Sequence, residues 1–276
     1  MINDLIDEQT GFSMPSAKNF DIQKLFSLNN CTTVITGSAH GIGRVAAIAC
    51  GKAGSKIAIT DKNLDSAKIL EKELIEANIK AKAWKLDVNF EEDIIKTFNN
   101  IENELGPIDV LINNAGTANR NPAELMDTED FKKIIDLNLT SAFVCSRTAA
   151  KSMLTRKKGS IINISSIMGV TGGGPAPNSP YHASKGALVN LTRSLANEWG
   201  SRGVRVNSIA PTYTKTRLIK ELSKNEDKLQ HIIERTPLKR LAEVSEMAGG
   251  ILFLASNASS IVTGHTLMLD GGWSAI

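Results

Sequence analysis

The amino-acid sequence predicts an α/β fold, a single doubly wound domain with a central parallel sheet of about seven strands and helices on both faces. From about residue 31 onward, short β-branched apolar runs alternate with longer segments of helical periodicity. Such an alternation implies parallel strands joined by right-handed crossovers. A glycine cluster at residues 37–43 directly follows the first apolar run, which is where a doubly wound fold places a nucleotide-binding turn.

The strands and helices follow from their residues. The predicted strands are short runs rich in Val, Ile and Thr, and they lie at 32–37, 56–60, 81–88, 109–116, 159–165, 204–210 and 265–270. The predicted helices carry their apolar residues on one stripe, and they lie at 42–53, 64–77, 91–105, 129–157, 180–201 and 243–256. We therefore expect one domain over residues 31–276.

The first 30 residues are polar and mixed, and we interpret them as an N-terminal arm. Two interpretations of this arm stay open. It is a partly disordered tail, or its apolar residues dock on the body or on another subunit. Those residues are Phe12, Phe20, Ile22, Leu25, Phe26 and Leu28.

Composition and charge exclude several classes of protein. The chain has 276 residues, of which 42% are hydrophobic and 22% charged, as is ordinary for a soluble globular domain. A net charge of +3 and 5% aromatic residues argue against nucleic-acid binding. No apolar run approaches the roughly 18 residues of a membrane span, and the acidic N-terminus does not resemble a signal peptide. Three scattered cysteines without a CxxC pair argue against a zinc or other metal site and favour a reducing compartment, so we expect a cytoplasmic protein.

Residues 212–240 interrupt the alternation of strands and helices. This segment carries eight basic residues against four acidic ones. Insertions that follow strand C-termini in a doubly wound sheet lie over the ligand crevice. The segment is therefore a candidate lid, and the alternative is a solvated helical face.

The first strand leads into a glycine-rich turn and then into a helix. The sequence of the turn is Thr36-Gly37-Ser38-Ala39-His40-Gly41-Ile42-Gly43. Glycine lets the backbone approach a ligand closely, and the helix N-terminus offers free N–H groups to a pyrophosphate. The spacing GxxxGxG differs from the standard GxGxxG, and the Lys-Ser/Thr of a P-loop is missing. A plain tight turn is the alternative interpretation.

The second strand ends at Asp61, 18 residues after Gly43. An acid at this place accepts hydrogen bonds from the ribose hydroxyls and repels a 2′-phosphate, which favours NAD over NADP. The adjacent Lys62 would partly offset that repulsion. The alternative role of Asp61 is a simple charge at a helix N-terminus.

Several motifs in a fixed order resemble those of the classical short-chain dehydrogenase/reductase family, over roughly residues 28–276. They are TGSAHGIG at 36–43, Asn113-Asn114-Ala115-Gly116, Asn138 within DLNLTSAF, Ser166 at the end of NISS, Tyr181-His182-Ala183-Ser184-Lys185, and Asp270-Gly271-Gly272. The resemblance implies a Rossmann-type domain that transfers a hydride between a nicotinamide cofactor and an alcohol or carbonyl. It also implies a homotetramer or homodimer, paired through the long helices 129–157 and 180–201.

The resemblance assigns four catalytic residues. Tyr181 would exchange the substrate proton, Ser166 rather than Ser165 would orient the substrate oxygen, Lys185 would hold the nicotinamide ribose, and Asn138 would fix a proton-relaying water. Independently, Tyr181 and Lys185 are four residues apart on a predicted helix and therefore share one face. A tyrosine hydroxyl titrates near ~10, and a nearby ammonium together with the positive charge of an oxidised nicotinamide favours the tyrosinate, so we expect the pKa of Tyr181 to be lowered.

The resemblance also assigns the cofactor contacts. By position they are Gly37, Ser38, His40, Gly41, Ile42, Gly43, Asp61, Asp87, Val88, Asn114, Ala115, Gly116, Tyr181, Lys185, Pro211 and Thr216. Thr212 stands where the family usually has glycine, which reduces backbone freedom next to the nicotinamide.

The substrate is predicted from segments 210–218 (APTYTKTRL) and 265–273 (HTLMLDGGW). These segments look like those of members that act on sugars, sugar acids and polyols, such as gluconate, sorbose and arabinitol dehydrogenases. A flexible loop over 169–180, with three consecutive glycines and three prolines, would border the substrate. His182 is interpreted as non-catalytic.

Two other functions remain open. One is a 3-oxoacyl-[acyl-carrier-protein] reductase, whose acidic carrier would suit a basic surface made by Arg147, Lys151, Arg156, Lys157 and Lys158. The other is a catalytically silent dinucleotide-binding subunit, against which the presence of both Tyr181 and Lys185 argues.

Overall fold

A seven-stranded parallel sheet forms the centre of the molecule, in the order β5-β4-β3-β6-β7-β8-β9. The computed structural model describes residues 5–7, 9–10 and 12–276. The strands of the sheet are β3 (Thr32–Thr36), β4 (Lys56–Asp61), β5 (Ala81–Lys85), β6 (Val110–Asn113), β7 (Gly159–Ile164), β8 (Val204–Pro211) and β9 (Thr266–Leu269). The strand order reverses between β3 and β6, and a ligand crevice forms at such a switch point. The predicted fold class is confirmed.

Helices cover both faces of this sheet. They are α2 (Gly41–Lys52), α3 (Leu64–Glu76), α4 (Glu91–Leu105), α5 (Thr128–Ile135), α6 (Ser141–Arg156), α7 (Ser179–Trp199), α8 (Glu226–Arg235) and α9 (Met247–Ala255). Helices α2, α3 and α9 contribute to one hydrophobic core, while α4, α6 and α7 contribute to a second. In the described part of the chain, no helix is long and apolar enough to cross a membrane.

The position of the strands between two hydrophobic cores explains why their sequences are continuous apolar runs. Val34 and Ile35 are neighbours in β3 and both are fully buried, yet Ile35 belongs to one core and Val34 to the other. Successive residues of a strand point to opposite faces, so a strand covered on both sides needs apolar residues throughout.

The predicted helix 129–157 is two helices joined by a wide turn. Between α5 and α6, residues Asp136–Thr140 form a single π-helical turn. Asn138 lies inside this turn and is 1% exposed. Periodicity does not reveal such a turn, because the helices on either side continue the same apolar stripe. One-turn π segments inside α-helices are frequent at functional sites.

The N-terminal arm has some structure of its own. A two-stranded antiparallel hairpin joins β1 (Leu5–Ile6) to β2 (Ser13–Met14), and a short helix α1 (Ile22–Phe26) follows. Leu28 is 2% exposed and enters the core, whereas Phe12 is 73% exposed. Among the described residues of the arm, the firm attachment to the body is therefore at its end.

Candidate active site

A cleft of about 650 Å³ opens at the carboxyl ends of the central strands. Most of the predicted site residues line it. They are Gly37, His40, Gly41, Ile42, Asp61, Asp87, Val88, Asn114, Ala115, Gly116, Ser166, Tyr181, Lys185, Pro211 and Thr216. Segment 212–240 also contributes to the wall, through residues 212–214, 216–219 and 222.

Three predicted site residues lie behind the wall of the cleft. The Ser38 side chain is fully buried, and its hydroxyl donates to the Thr60 carbonyl. Gly43 is buried within the glycine turn. Asn138 is buried in the π-helical turn. These three residues therefore support the site from behind the wall.

The glycine turn needs glycine for its backbone conformation and for its close approach to neighbouring residues. Gly37 and Gly41 have φ angles of +61° and +56°, which side chains with a Cβ rarely adopt. A Cβ on Gly43 would lie 2.5 Å from Asn114 Nδ2 and 2.6 Å from the Gly37 carbonyl oxygen. Asn114 Nδ2 donates to the carbonyls of Thr36 and Gly37 at 2.9 and 2.8 Å, which ties the turn to the end of β6.

Asp61 fixes the other side of the same turn. Its Oδ2 accepts from the Ala39 N–H at 3.1 Å, and its Oδ1 accepts from the Asn63 N–H at 3.0 Å. The carboxylate is therefore held by two backbone donors at the rim of the cleft. The glycine turn, the open start of α2 and this acid fit a pyrophosphate followed by a ribose.

The two adjacent serines have different partners. Ser165 Oγ donates to the Lys185 carbonyl at 3.0 Å and is engaged with the backbone of α7. Ser166 Oγ accepts from the Met168 N–H at 3.1 Å, and its hydrogen bond lowers the pKa of Tyr181. Ser166 is therefore the one of the two serines that influences the Tyr181 hydroxyl.

Tyr181 and Lys185 share one face of α7, as their spacing predicts. Lys185 Nζ lies 5.7 Å from the centroid of the Tyr181 ring and donates to the Ile164 carbonyl at 2.7 Å. Burial lowers the pKa of Lys185 to about 8, because the charged ammonium is poorly solvated there.

In the protein without a nicotinamide, the lysine alone does not lower the pKa of Tyr181. Burial raises the pKa of Tyr181 above its ordinary value, and this effect exceeds the lowering by the Ser166 hydrogen bond and the Arg120 charge. Burial removes hydrating water, and the charged phenolate depends on that water more than the neutral phenol does. Tyr181 therefore rests as a neutral phenol, which is a proton donor.

Asn138 holds backbone rather than presenting a free amide. Its Oδ1 accepts from the Thr117 N–H at 2.9 Å, and its Nδ2 donates to the Thr117 carbonyl at 2.9 Å and to Ser184 Oγ at 3.0 Å. Both ends of the amide are used, so the side chain has a positioning role. It fixes the segment that follows β6 against α7.

Sequence reasoning missed Arg120. Arg120 lines the cleft, and its guanidinium donates to the Leu218 carbonyl at 2.9 Å. Burial raises the pKa of both Tyr181 and Tyr213, and the Arg120 charge opposes that rise. Within the described ranges Arg120 forms no ion pair with an acid. Its place, just beyond a strand end that faces the crevice, is the signal that the sequence offered.

The wall near Tyr181 also contains unpaired polar atoms. Asn178 Oδ1, His182 Nε2 and Thr212 Oγ1 are buried and have no hydrogen-bond partner among the described residues. All three residues line the cleft. Buried polar atoms are nearly always paired, so these groups are candidates to bind a ligand or water in the cleft. Nearby, Tyr213 packs on Trp273 with ring centroids 5.3 Å apart.

The motifs and the cleft agree with the known proteins that the chain resembles. A family model described as Enoyl-(Acyl carrier protein) reductase matches residues 37–274. The 5-keto-D-gluconate 5-reductase of Escherichia coli is 38% identical over 248 residues, which cover 90% of this chain and 97% of that protein. The 2-dehydro-3-deoxy-D-gluconate 5-dehydrogenase of Formosa agariphila is 37% identical over 253 residues, which cover 90% of this chain and 94% of that protein.

A solved structure extends the similarity to three dimensions. The gluconate 5-dehydrogenase of Burkholderia cenocepacia, in complex with NADP and tartrate, superposes with a TM-score of 0.89. The two are 32% identical, and the match covers 93% of this chain and 100% of that one. Nearly whole-chain matches in sequence and in fold confirm what the motifs predict. The chain belongs to the short-chain dehydrogenase/reductase family of oxidoreductases.

Proposed function

We propose that this chain is a nicotinamide-dependent oxidoreductase that interconverts a secondary alcohol and a ketone on a sugar acid. The observation that carries the substrate class is Arg120, a guanidinium in the cleft wall beside Tyr181 with no acidic partner among the described residues. An unpaired guanidinium is suited to bind a carboxylate through two parallel hydrogen bonds.

The residues at one end of the cleft would hold the cofactor. The glycine turn and the start of α2 would bind its pyrophosphate, and Asp61 its adenosine ribose. Asp87 and Val88 line the expected adenine end. When bound, the nicotinamide accepts the hydride during alcohol oxidation and supplies it during ketone reduction.

The proton chemistry belongs to Tyr181 and its neighbours. As a neutral phenol, Tyr181 would donate its proton to the oxygen of a ketone substrate, and its phenolate would take that proton back from an alcohol. Ser166 would donate a hydrogen bond to the same oxygen and orient it. Lys185, anchored at the Ile164 carbonyl, would contact the nicotinamide ribose.

The relatives support a sugar acid as the substrate. The two curated relatives described above carry names that specify gluconate derivatives, and the Burkholderia structure contains tartrate, a hydroxylated carboxylate. An anion needs a cation in a partly desolvated cleft, and Arg120 supplies one. Hydroxyls need hydrogen-bond partners, and the cleft wall holds unpaired polar atoms.

NAD is proposed as the preferred cofactor, with NADP second. The Asp61 carboxylate, held by the backbone of Ala39 and Asn63, would oppose a 2′-phosphate. Lys62 also lines the cleft and would reduce that opposition. The Burkholderia neighbour contains NADP, so the preference must be measured on this chain.

A 3-oxoacyl-[acyl-carrier-protein] reductase is the second candidate, and the matching family model is described by a different reductase of acyl-carrier-protein substrates. The ion pairs on the proposed basic surface weigh against this candidate, because the arginines of that surface are already paired with acidic residues of this chain. Arg147 pairs with Glu91 at 2.5 Å, and Arg156 pairs with Asp109 at 2.9 Å. Lys158 also lies 3.6 Å from Asp109.

Assembly as a homotetramer or homodimer in the cytoplasm is proposed from the family resemblance. Phe143 on α6 is 38% exposed and would be covered by such an assembly. Light scattering of the purified protein tests it, and a stable monomer would contradict it.

A spectrophotometric substrate screen tests the proposed function. The purified protein is assayed with both NAD and NADP against sugar acids, neutral polyols, keto sugars and acetoacetyl thioesters, following the absorbance of the reduced nicotinamide. We expect turnover with a sugar acid and its keto form. Turnover confined to the acetoacetyl thioester would establish the second candidate instead.

A further inference from the structure

His182 follows the proposed catalytic tyrosine directly and lies in the cleft wall. Its Nδ1 is 2.8 Å from the backbone carbonyl oxygen of Asn178, one turn earlier in the chain. A carbonyl oxygen can only accept a hydrogen bond, so Nδ1 carries the hydrogen. In a neutral imidazole the other nitrogen, Nε2, is then a bare acceptor.

This acceptor is buried without a partner. Nε2 of His182 has no hydrogen-bond donor near it in the described part of the chain, and Asn178 Oδ1 is in the same condition. Leaving a buried polar group unpaired costs about 1–3 kcal/mol. Both atoms are covered by protein, but both residues line the cleft, so a small movement of either side chain would bring its free acceptor to a donor bound there.

The missing donor can be assigned a chemical class. Two acceptors select for O–H groups, and the substrate class proposed above carries several hydroxyls besides the reacting one. The acyl chain of a 3-oxoacyl thioester has no hydroxyl to offer. Arg120 lines the same cleft and is a cationic donor rather than an acceptor. The carboxylate and the hydroxyls of the substrate would therefore bind to different residues.

Resting on the proposed function, we infer that His182 Nε2 accepts a hydrogen bond from a non-reacting hydroxyl of the substrate. Asn178 Oδ1 is the second acceptor of the same site. His182 is thereby a specificity-determining residue, although it takes no part in the proton transfer. Its hydrogen bond stabilises a bound substrate that carries the hydroxyl, and it adds no stabilisation for a substrate without that hydroxyl.

A cycle of enzyme variants and substrate analogues tests this inference. Wild-type protein and His182→Phe are compared on the best sugar acid and on a panel of its monodeoxy analogues, measuring kcat/KM. For one hydroxyl, we expect its removal from the substrate to reduce kcat/KM of the wild type about 10- to 100-fold. The same removal should leave kcat/KM of His182→Phe nearly unchanged.

Two further variants keep the result interpretable if His182→Phe folds poorly. His182→Gln retains a side-chain acceptor and should recover part of the discrimination. His231→Phe changes an exposed histidine of α8 outside the cleft and should behave as the wild type. Cofactor affinity should be equal in all four proteins, since His182 is assigned to the substrate.

Two outcomes would overturn the inference, and they are distinguishable. If the wild type turns over sugar acids but His182→Phe loses the same factor on every analogue, His182 has a structural role only. If the wild type turns over no hydroxylated acid, the proposed function fails and the inference falls with it.

Discussion

The two halves of the cleft differ in how completely their polar groups are paired. At the cofactor end, Asp61 accepts from two backbone N–H groups and Asn114 donates to two carbonyls. At the substrate end, Asn178 Oδ1, His182 Nε2 and Thr212 Oγ1 are buried without partners in the described ranges. We therefore expect the proposed cofactor end to be preorganised by its own backbone, and the proposed substrate end to be completed by its ligand. Specificity is therefore expected to depend on few side chains at the substrate end.

The largest effect is expected from removing the proton donor. Tyr181→Phe keeps the ring that packs near Lys185 but loses the hydroxyl. Positioned acid–base groups contribute about 10²- to 10⁴-fold, so we expect kcat to fall by that factor with the cofactor dissociation constant unchanged. Stopped-flow hydride transfer and cofactor fluorescence titration measure the two quantities. Activity retained by the variant would remove Tyr181 from the mechanism.

The cofactor end was predictable from the sequence to a degree that the substrate end was not. Gly37 and Gly41 have positive φ angles, a conformation that favours glycine. The glycines in the sequence therefore indicate the turn. The π-helical turn at Asn138 leaves no such mark, because it continues an α-helical apolar stripe. Arg120 was missed because a lone arginine in a polar loop has no pattern, and its meaning depends on what the fold brings beside it.

The direction of the Tyr181 pKa shift in the protein without a nicotinamide was not predictable from the sequence, for a related reason. Sequence spacing placed Lys185 near Tyr181, and that is correct. The spacing gave no measure of burial, which raises the pKa of Tyr181 and lowers that of Lys185. Desolvation depends on the whole fold, so local motifs do not report it.

The backbone fit of the cofactor end can be broken by one methyl group. A Cβ at Gly43 would lie 2.5 Å from Asn114 Nδ2 and 2.6 Å from the Gly37 carbonyl. Overpacking of this kind costs about 1–3 kcal/mol, and we expect Gly43→Ala to weaken cofactor binding on the order of 10- to 100-fold. Isothermal titration calorimetry measures it.

Gly249→Ala is the matched control for that substitution. Gly249 lies in α9 with open space around its Cβ position. The change should leave cofactor binding intact and stabilise the fold by roughly 0.5–1 kcal/mol, because alanine favours helix. Equal cofactor affinity in Gly43→Ala and Gly249→Ala would contradict the assigned role of the turn.

The direction of the reaction should respond to pH through Tyr181. Because burial raises the pKa of Tyr181 above its ordinary value of 10.0, the phenol form persists at neutral and mildly alkaline pH. Alcohol oxidation needs the phenolate, so its kcat/KM should rise with pH, by up to about tenfold per unit below the pKa. Ketone reduction uses the phenol and should not rise with pH. A pH profile of oxidation that is flat from pH 7 to about 10 would exclude Tyr181 as the base.

A smaller effect is expected at Asp61. Asp61→Asn removes the charge and keeps one of the two acceptor oxygens, so it retains the hydrogen bond from only one of the N–H groups of Ala39 and Asn63. We expect the NAD-to-NADP ratio of kcat/KM to fall on the order of tenfold, since one like-charge contact with the 2′-phosphate is lost. Steady-state kinetics with each cofactor measures the ratio. A wild type that already prefers NADP would contradict the proposed preference.

The central prediction is that the proposed substrate end of the cleft recognises the carboxylate of a sugar acid through Arg120. Gluconate and sorbitol differ only in a carboxylate against a hydroxymethyl group, so kcat/KM for the two, in wild type and in Arg120→Met, isolates that recognition. We predict that the wild type prefers gluconate by about 100-fold and that Arg120→Met loses most of this preference. Equal use of both compounds by the wild type, or a preference that survives Arg120→Met, would contradict the account.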